Sequence, residues 1–195
     1  MSSMRFEGQV VLITGGNSGI GLATAKEFVR EGAKVVVTGR DQKTVDATQK
    51  ELGRDHLSLV SNAASLSGID QLISKVKERY GRIDTLFINA GVTKFGSFAE
   101  MPEDVFDETF AINVKGAYFT IQKALPLFPK SGGTIVLKWF HQCSHWDAEV
   151  EPLRCEQGCL DFLRPHALRR TRCSWNSCKC GEPRSSDDTA LRSAR

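Results

Sequence analysis

The chain has 195 residues and a formal net charge of +3 at pH 7, with 41% hydrophobic and 25% charged residues. This composition suits one globular domain with its own core, and it excludes collagen-like and fully disordered proteins. The positive charge comes mainly from an arginine-rich tail without an accompanying stripe of aromatic residues, so no nucleic-acid partner is expected. Since there is no signal core and no apolar stretch that could span a bilayer, we expect a cytoplasmic protein without a membrane partner.

Short apolar runs alternate with helical patterns through the first 137 residues. The runs predicted to be strands buried on both faces are Val10–Ile13, Lys34–Thr38, His56–Val60, Thr85–Ile88 and Thr134–Leu137. The stretches with helical periodicity between them are Gly19–Glu31, Gln42–Leu52, Leu66–Tyr80 and a long one, Pro102–Leu125. This alternation predicts an α/β fold with a parallel sheet and crossover helices.

A glycine-rich turn follows the first predicted strand and leads directly into the first predicted helix. Glycine lets the chain turn sharply and approach a phosphate closely, and the free N–H groups at a helix start attract an anion. The turn, residues 14–21, is therefore predicted to bind the diphosphate of a dinucleotide. The residues predicted to contact the cofactor in this turn are Gly15, Asn17, Ser18, Gly19, Ile20 and Gly21.

On three motifs the sequence resembles the short-chain dehydrogenase/reductase family. They are T-G-x-x-x-G-x-G at Thr14, Gly15, Gly19 and Gly21, N-A-G at Asn89-Ala90-Gly91, and the helix asparagine of N-V-x-G at Asn113. The resemblance covers about residues 6–137 and implies a Rossmann-type doubly wound parallel sheet. It also implies an NAD(P)-dependent oxidoreductase that transfers a hydride between the nicotinamide cofactor and a small-molecule alcohol or carbonyl substrate.

The resemblance assigns roles to residues beyond the turn. Asn89, Ala90 and Gly91 are expected beside the cofactor, although Gly91 alone would indicate only a tight turn. Asn113 is the one catalytic-type residue retained, and it resembles the family asparagine that holds a water in a proton relay to a lysine. Without the resemblance, a mid-helix asparagine is commonly just exposed or locally bonded. Asn62 follows the third strand, where the family usually carries an aspartate, and it can hydrogen-bond an adenine edge.

Arg40 lies just past the second predicted strand and bears on the choice between NAD and NADP. An acidic residue at this place binds the ribose 2′-hydroxyl of NAD, whereas an arginine suits the 2′-phosphate of NADP. The sequence therefore favours NADP. It leaves NAD open, because Asp41 stands beside the arginine and a single surface arginine is commonly only solvated.

The sequence changes character after Leu137. All six cysteines and all three tryptophans lie beyond it, and no sustained periodicity continues. We interpret residues 1–137 as an incomplete dinucleotide-binding domain and residues 138–195 as an aberrant, disordered tail, with the C-terminal strands and helices of the fold missing. The family's Y-x-x-x-K pair is absent, because neither Tyr80 nor Tyr118 is followed by lysine four positions later. Without that acid–base pair, poor turnover or none is expected.

Codon degeneracy offers an explanation of the tail. Read one nucleotide later, the codons of Leu153–Asp161 can spell Y-A-A-S-K-A-A-L, and those of Lys179–Ser185 can spell N-A-V-S-P-G. Both resemble family motifs, so we interpret the tail as an out-of-frame translation, which reading the coding DNA would test. An alternative is zinc bound by His141, His166 and the five cysteines Cys155, Cys159, Cys173, Cys178 and Cys180. It is disfavoured because the cysteines form no paired C-x-x-C knuckles, and no metal site is predicted.

Two functions from different classes stay open at this point. One is the oxidoreductase described above, and the other is a non-catalytic dinucleotide-binding or interaction protein. Family members often form homo-oligomers through the long helix matching Pro102–Leu125 and through the helix that bears the tyrosine. That second helix is missing as the chain is written, so a homo-oligomer stays an open expectation and its interface would be exposed.

Overall fold

The computed structural model describes residues 4–94 and 98–138, which form a parallel β-sheet flanked by helices. The strands are β1 Val10–Ile13, β2 Lys34–Gly39, β3 Leu57–Val60, β4 Thr85–Ile88 and β5 Thr134–Leu137. Neighbouring strands run parallel in the order β3-β2-β1-β4-β5. The predicted strands are confirmed, with β2 extended to Gly39 and β3 beginning at Leu57 rather than His56. The predicted burial on both faces is wrong for β3 and β5, because Val60, Thr134 and Val136 are exposed.

Helices cover both faces of the sheet. They are α1 Gly19–Arg30, α2 Gln42–Leu52, α3 Leu66–Tyr80, α4 Glu103–Phe110 and α5 Ala117–Ala124, with 3₁₀ turns at Phe98–Glu100 and Leu125–Leu127. One buried cluster contains Val11 and Ile13 of β1 with residues of α1 and α2. The other contains Leu12 with residues of α3 and α5. Alternate strand residues point to opposite faces, so these two clusters lie on opposite sides of the sheet, each covered by helices. The predicted doubly wound α/β fold is therefore confirmed.

The long helix predicted over Pro102–Leu125 is not continuous, and that prediction is wrong in this respect. A π-helical turn, Ala111–Gly116, separates α4 from α5. Gly116 is buried in this turn, where a Cβ atom would overlap the carbonyl oxygen of Ala63. The wider turn therefore accompanies a close approach of the helix backbone to the segment after β3. Apolar residues keep a helical spacing through it, so the sequence pattern did not reveal it.

The strand order determines where a ligand can bind. In such a sheet the carboxyl ends of the strands and the starts of the following helices lie along one edge, called the ligand edge below. From β1 the chain adds β2 and β3 on one side of the sheet and then β4 and β5 on the other. This change of direction opens a crevice between the carboxyl ends of β1 and β4. In the described part of the chain, no helix is both long and apolar enough to cross a bilayer.

The tail was predicted to be disordered from residue 138, and this is wrong at Lys138, because its backbone N–H donates to the carbonyl oxygen of Ile88 at 2.9 Å. The remaining predictions concern residues 139–195, which lie outside the described residues. They are the aberrant, disordered tail, its missing strands and helices, the out-of-frame translation and the disfavoured zinc site. Among residues 4–94 and 98–138, no group of three His, Cys, Asp or Glu side chains is placed to hold a metal ion. The division of the chain at residue 137 stays a prediction.

Candidate functional site

The glycine-rich turn after β1 has a backbone that glycine adopts readily. Gly15 and Gly19 have φ angles of 64° and 50°, in the left-handed region where other residues are strained. A Cβ atom on Gly15 would lie 3.0 Å from the Cα atom of Ala90, and one on Gly21 would lie 2.6 Å from Asn89 Nδ2. A Cβ atom on Gly19 would meet open space. The turn is therefore pressed against the segment after β4 on one side and open on the other.

The start of α1 differs from the starts of α2 and α3. Asp41 caps α2 by accepting a hydrogen bond from the N–H of Thr44, and Ser65 caps α3 by accepting one from the N–H of Gly68. Ser18, at the same position of α1, makes no side-chain cap hydrogen bond. The first N–H groups of α1 are thus left for an external acceptor, at the positive end of the helix dipole. This arrangement suits a phosphate.

A buried asparagine ties the turn to β4. Asn89, which is 7% exposed, donates from Nδ2 to the carbonyl oxygens of Thr14 and Gly15 at 3.0 and 2.9 Å. The hydroxyl oxygen of Thr14 accepts hydrogen bonds from the N–H groups of Asn89 and Ala90, both at 3.0 Å. These bonds join the carboxyl ends of β1 and β4 at the crevice. They hold the turn in place without covering its open side.

A second link joins the turn to α2. Asn17 donates from Nδ2 to Thr44 Oγ1 at 2.8 Å, and its carbonyl oxygen accepts a hydrogen bond from Thr48 Oγ1 at 3.4 Å. A Cβ atom on Gly39, the last residue of β2, would lie 2.7 Å from Asn17 Nδ2. The side chain of Asn17 therefore lies between the end of β2 and α2, where it supports the turn, and only its backbone belongs to the turn itself.

Two further predicted residues lie along the ligand edge. Arg40 is exposed directly after β2, and the neighbouring carboxylate of Asp41 accepts the hydrogen bond of the α2 cap at 2.9 Å. Asn62 is exposed after β3, and its Oδ1 accepts a hydrogen bond from the N–H of Ala64 at 3.0 Å. The Asp41 side chain is thus held at the start of α2, and Arg40 is exposed between that helix start and the end of β2.

The comparisons with known proteins agree with this geometry. The sequence profile of the family described as short chain dehydrogenase matches residues 9–137. The chain belongs to the short-chain dehydrogenase family. A cis-2,3-dihydrobiphenyl-2,3-diol dehydrogenase from Paraburkholderia xenovorans is 37% identical to this chain over 138 residues, which cover 68% of the chain and 50% of that protein. An L-rhamnose 1-dehydrogenase (NAD(P)(+)) from Azotobacter vinelandii is 34% identical over 178 residues, which cover 83% of the chain and 70% of that protein.

A solved structure is similar as well. It is the short-chain dehydrogenase/reductase named glucose/ribitol dehydrogenase from Brucella melitensis, with a TM-score of 0.66 and 31% identity, covering 70% of this chain and 58% of that one. The family predicted from three motifs is therefore confirmed. Short-chain dehydrogenases are oxidoreductases that use NAD(P). The chain spans about half the length of the curated relatives it matches first.

The residue predicted to be catalytic, Asn113, lies in the π turn. Asn113 Oδ1 accepts a hydrogen bond from the N–H of Val92 at 2.9 Å, and its Nδ2 donates to the carbonyl oxygen of Val92 at 2.8 Å. Both ends of the amide therefore hold the backbone one residue after Gly91. Sequence reasoning missed Val92 as the partner, although its place directly after the N-A-G motif was a usable signal.

Two other residues of the site were missed. Thr38, in β2, accepts a hydrogen bond at its hydroxyl from the N–H of Gly15 at 3.2 Å. Lys138, the first residue after β5, donates from Nζ to Asn89 Oδ1 at 3.2 Å. The signal for Lys138 was its position, because the carboxyl end of a parallel strand lies at the ligand edge.

The predicted site residues fall into three groups along the ligand edge. The turn and the segment after β4 meet directly, Asn113 is attached to that segment through Val92, and Arg40 and Asn62 follow β2 and β3. The group at the turn comprises Gly15, Asn17, Ser18, Gly19, Ile20, Gly21, Asn89, Ala90 and Gly91. Their contact with a cofactor stays a prediction.

Proposed function

We propose that this short-chain dehydrogenase chain binds a nicotinamide dinucleotide with its diphosphate at the start of α1. The observation that carries the proposal is the contrast in capping, since Asp41 and Ser65 close α2 and α3 whereas Ser18 leaves α1 open. The residues present fit the group. Gly19 has open space where a side chain would stand, and the lack of a Cβ atom on Gly21 lets α1 start against the turn.

The strand order assigns the two halves of the dinucleotide. The residue that contacts the adenosine ribose follows β2 in such folds, so the adenosine half belongs to the ends of β2 and β3, with Asn62 as the contact of the adenine. The nicotinamide half then belongs to the ends of β4 and β5, beside Asn89, Ala90 and Gly91. When bound, the nicotinamide supplies the carbon that accepts or donates the hydride.

NADP is the favoured form of the cofactor. Arg40 is exposed at the end of β2 and can pair with a 2′-phosphate. One carboxylate oxygen of Asp41 accepts the cap hydrogen bond from the N–H of Thr44, which holds this side chain at the start of α2. The proposal therefore rests on Arg40, which offers a cation to a 2′-phosphate.

Calorimetric titration of the full chain with NADPH and NADH tests cofactor binding and choice. We expect Arg40→Leu to weaken NADPH binding roughly tenfold to a hundredfold and to leave NADH binding unchanged, because only the 2′-phosphate pairs with the guanidinium. Arg54→Leu is the matched control, since Arg54 is exposed beyond the other end of α2. Equal losses in the two variants, or no binding of either dinucleotide by the wild-type chain, would contradict the proposal.

Turnover is proposed to be low. The acid–base tyrosine of the family has no counterpart at the ligand edge in Tyr80 or Tyr118. Tyr80 ends α3, at the opposite edge of the sheet, where its hydroxyl donates to the carbonyl oxygen of Asp55 at 2.9 Å and burial raises its pKa. Tyr118 lies on the exposed face of α5. Asn113 remains, and in the proposed role it fixes the segment after β4 and resembles the family residue that holds a relay water.

A second function, non-catalytic binding of a dinucleotide, is favoured by the lack of the Y-x-x-x-K pair. NADPH consumption with a panel of aldehydes and ketones, and NADP reduction with a panel of alcohols, separates it from catalysis. We expect binding in calorimetry without measurable consumption. Robust NADPH-dependent carbonyl reduction by the purified chain would contradict both the low turnover and the non-catalytic alternative. A cytoplasmic location belongs to the same proposal.

A homo-oligomer is proposed through the outer face of α4 and α5. Phe106 and Phe110 stack there with ring centroids 4.3 Å apart, and Phe106 and Tyr118 are exposed. Asp107 and Lys115 line an open pocket on this face together with Phe110 and Tyr118. In a symmetric antiparallel pairing, each Asp107 would meet Lys115 of the second copy, which makes the face self-complementary.

Sedimentation velocity of the full chain tests this interface. We expect Phe106→Ser to shift the chain towards monomer, whereas Val60→Ser, an equally exposed apolar residue at the end of β3, should have no effect. A monomeric wild-type chain at all concentrations would contradict the pairing.

A further inference from the structure

Lys138 occupies a special place in the site. Its Nζ donates to Asn89 Oδ1 at 3.2 Å, and its backbone N–H donates to the carbonyl oxygen of Ile88 at 2.9 Å. Asn89 in turn donates to the carbonyl oxygen of Gly15. The ammonium group is therefore two hydrogen bonds away from the glycine turn, at the carboxyl end of the strand next to β4.

The hydrogen bond alone does not require a charge. Both hydrogens of Asn89 Nδ2 are used by the carbonyl oxygens of Thr14 and Gly15, so the amide oxygen is oriented to accept. Any neutral donor would satisfy that oxygen. Lysine adds a full positive charge, held close to Asn89 by the same bond, and this charge acts on whatever binds in the crevice.

The position of the charge along the ligand edge identifies the part of the cofactor that it acts on. Arg40 follows β2, on the adenosine side of β1, whereas Lys138 follows β5, on the other side beyond β4. Under the proposed function, the ends of β4 and β5 face the nicotinamide. On that side, Lys138 is hydrogen-bonded directly to Asn89, the first residue of the N-A-G segment.

We propose that Lys138 makes the site favour the reduced cofactor over the oxidised one, an inference that rests on the proposed function. The nicotinamide ring is positively charged when oxidised and neutral when reduced, while the rest of the cofactor is the same. A fixed ammonium group near the ring repels only the oxidised form. At the effective dielectric of a partly buried site, two like charges a few ångströms beyond contact distance change the ratio of the two affinities roughly tenfold.

The test compares the binding of NADPH and NADP⁺ and requires no turnover. NADPH is titrated into the full chain by its fluorescence, and NADP⁺ is measured by displacement of NADPH. We expect the wild-type chain to bind NADPH more tightly, and we expect Lys138→Met and Lys138→Gln to reduce the ratio of the two dissociation constants roughly tenfold. Lys138→Arg keeps the charge and should keep the ratio.

Two further variants and a fold control keep the test decisive. Lys34→Met removes the same charge at the start of β2, on the opposite edge of the sheet, and should leave the ratio unchanged. Lys138→Gln removes the charge but retains a hydrogen-bond donor for Asn89. If circular dichroism shows that Lys138→Met is unfolded, the ratio measured for Lys138→Gln tests the inference. An unchanged ratio in Lys138→Gln, or equal weakening of both forms, would overturn the inference alone. A wild-type chain that binds neither form would overturn the proposed function together with it.

Discussion

The centre of the sheet, β1 and β2, and its β5 edge differ in how completely they are covered. All four residues of β1 are buried, as are all residues of β2 except Lys34 at its start. In β5, Thr134 and Val136 are exposed and only the alternate residues are partly covered. The parallel strands at the turn are thus enclosed on both faces, as parallel sheets require, whereas one face of β5 is bare within the described residues.

The difference separates two requirements of the fold. The glycine turn depends on β1, β2 and β4, which pack against α1, α2 and α3 and join through Asn89 and Thr14. The nicotinamide and substrate side depends on what adjoins β5. The chain spans about half the length of its first curated relatives, and the enclosed part is the part that holds the proposed diphosphate site. Stability should therefore be concentrated around β1.

The largest expected effect is at the contact between α1 and the turn. A Cβ atom on Gly21 would overlap the carbonyl oxygen of Gly15 and lie 2.6 Å from Asn89 Nδ2. Since backbone must move, we expect Gly21→Ala to lower the free energy of unfolding by about 3 kcal/mol and to abolish NADPH binding. Gly68→Ala is the control in the first turn of α3, where a Cβ atom has ordinary contacts of 3.4 Å and more.

The control should move in the opposite direction. Alanine at Gly68 is expected to raise the free energy of unfolding by about 0.5–1 kcal/mol, because it restricts the unfolded chain in a position that suits a helix. Both values come from urea unfolding followed by circular dichroism. Similar changes for the two variants would show that the turn is not tightly packed against β4.

A pair of valines tests the contrast between the enclosed and the bare strand directly. Val36 in β2 is 0% exposed and Val136 in β5 is 43% exposed. The same deletion of two methyl groups should lower the free energy of unfolding by about 2–3 kcal/mol in Val36→Ala and by less than about 0.5 kcal/mol in Val136→Ala. Comparable losses in urea unfolding would mean that β5 is covered in solution as completely as β2.

The enclosed region is also the region that the sequence predicts well. Val10–Ile13 is apolar at all four positions and Thr85–Ile88 at three of four, as parallel strands buried on both faces need, so their bounds were predicted without error. The turn was predicted because glycine has few substitutes at φ angles of 64° and 50°. Local chemistry determines both features, and neither requires knowledge of the partner elements.

The features that were missed depend on contacts between distant segments. The π turn at Ala111–Gly116 follows from the approach of Gly116 to Ala63, and a helical spacing of apolar residues does not report it. Asn113 holds Val92 across 21 positions, and Lys138 holds Asn89 across 49 positions. The residue types were visible in the sequence, but their partners depend on the sheet order.

A smaller effect tests the contrast between capped and open helix starts. Asp41 accepts a hydrogen bond from the N–H of Thr44 at 2.9 Å, whereas Ser18 makes no such bond. We expect Asp41→Ala to lower the free energy of unfolding by about 1 kcal/mol and Ser18→Ala to change it by a few tenths at most, both in urea unfolding without cofactor. A loss of about 1 kcal/mol in Ser18→Ala as well would mean that the start of α1 is closed in solution.

The smallest expected effect is a pH dependence within the β2–β3 pair. His56 Nδ1 accepts a hydrogen bond from the N–H of Val35 at 3.2 Å, so the neutral imidazole fits the fold. Burial and the charge of Lys34 lower the pKa of His56 below its usual 6.5, while Asp55 opposes the shift. The unfolded chain therefore binds a proton more readily than the folded chain.

The sign of this effect follows from the lowered pKa. The stabilisation by His56 is fully present above pH 6.5 and is lost as the pH falls from there through the pKa of the folded state. In His56→Asn, which keeps an acceptor for Val35 but does not titrate, this loss should be missing. The measurement is the difference in free energy of unfolding between wild type and variant at pH 7.5 and at pH 5. An equal difference at both values would mean that His56 is as well solvated in the folded chain as in the unfolded one.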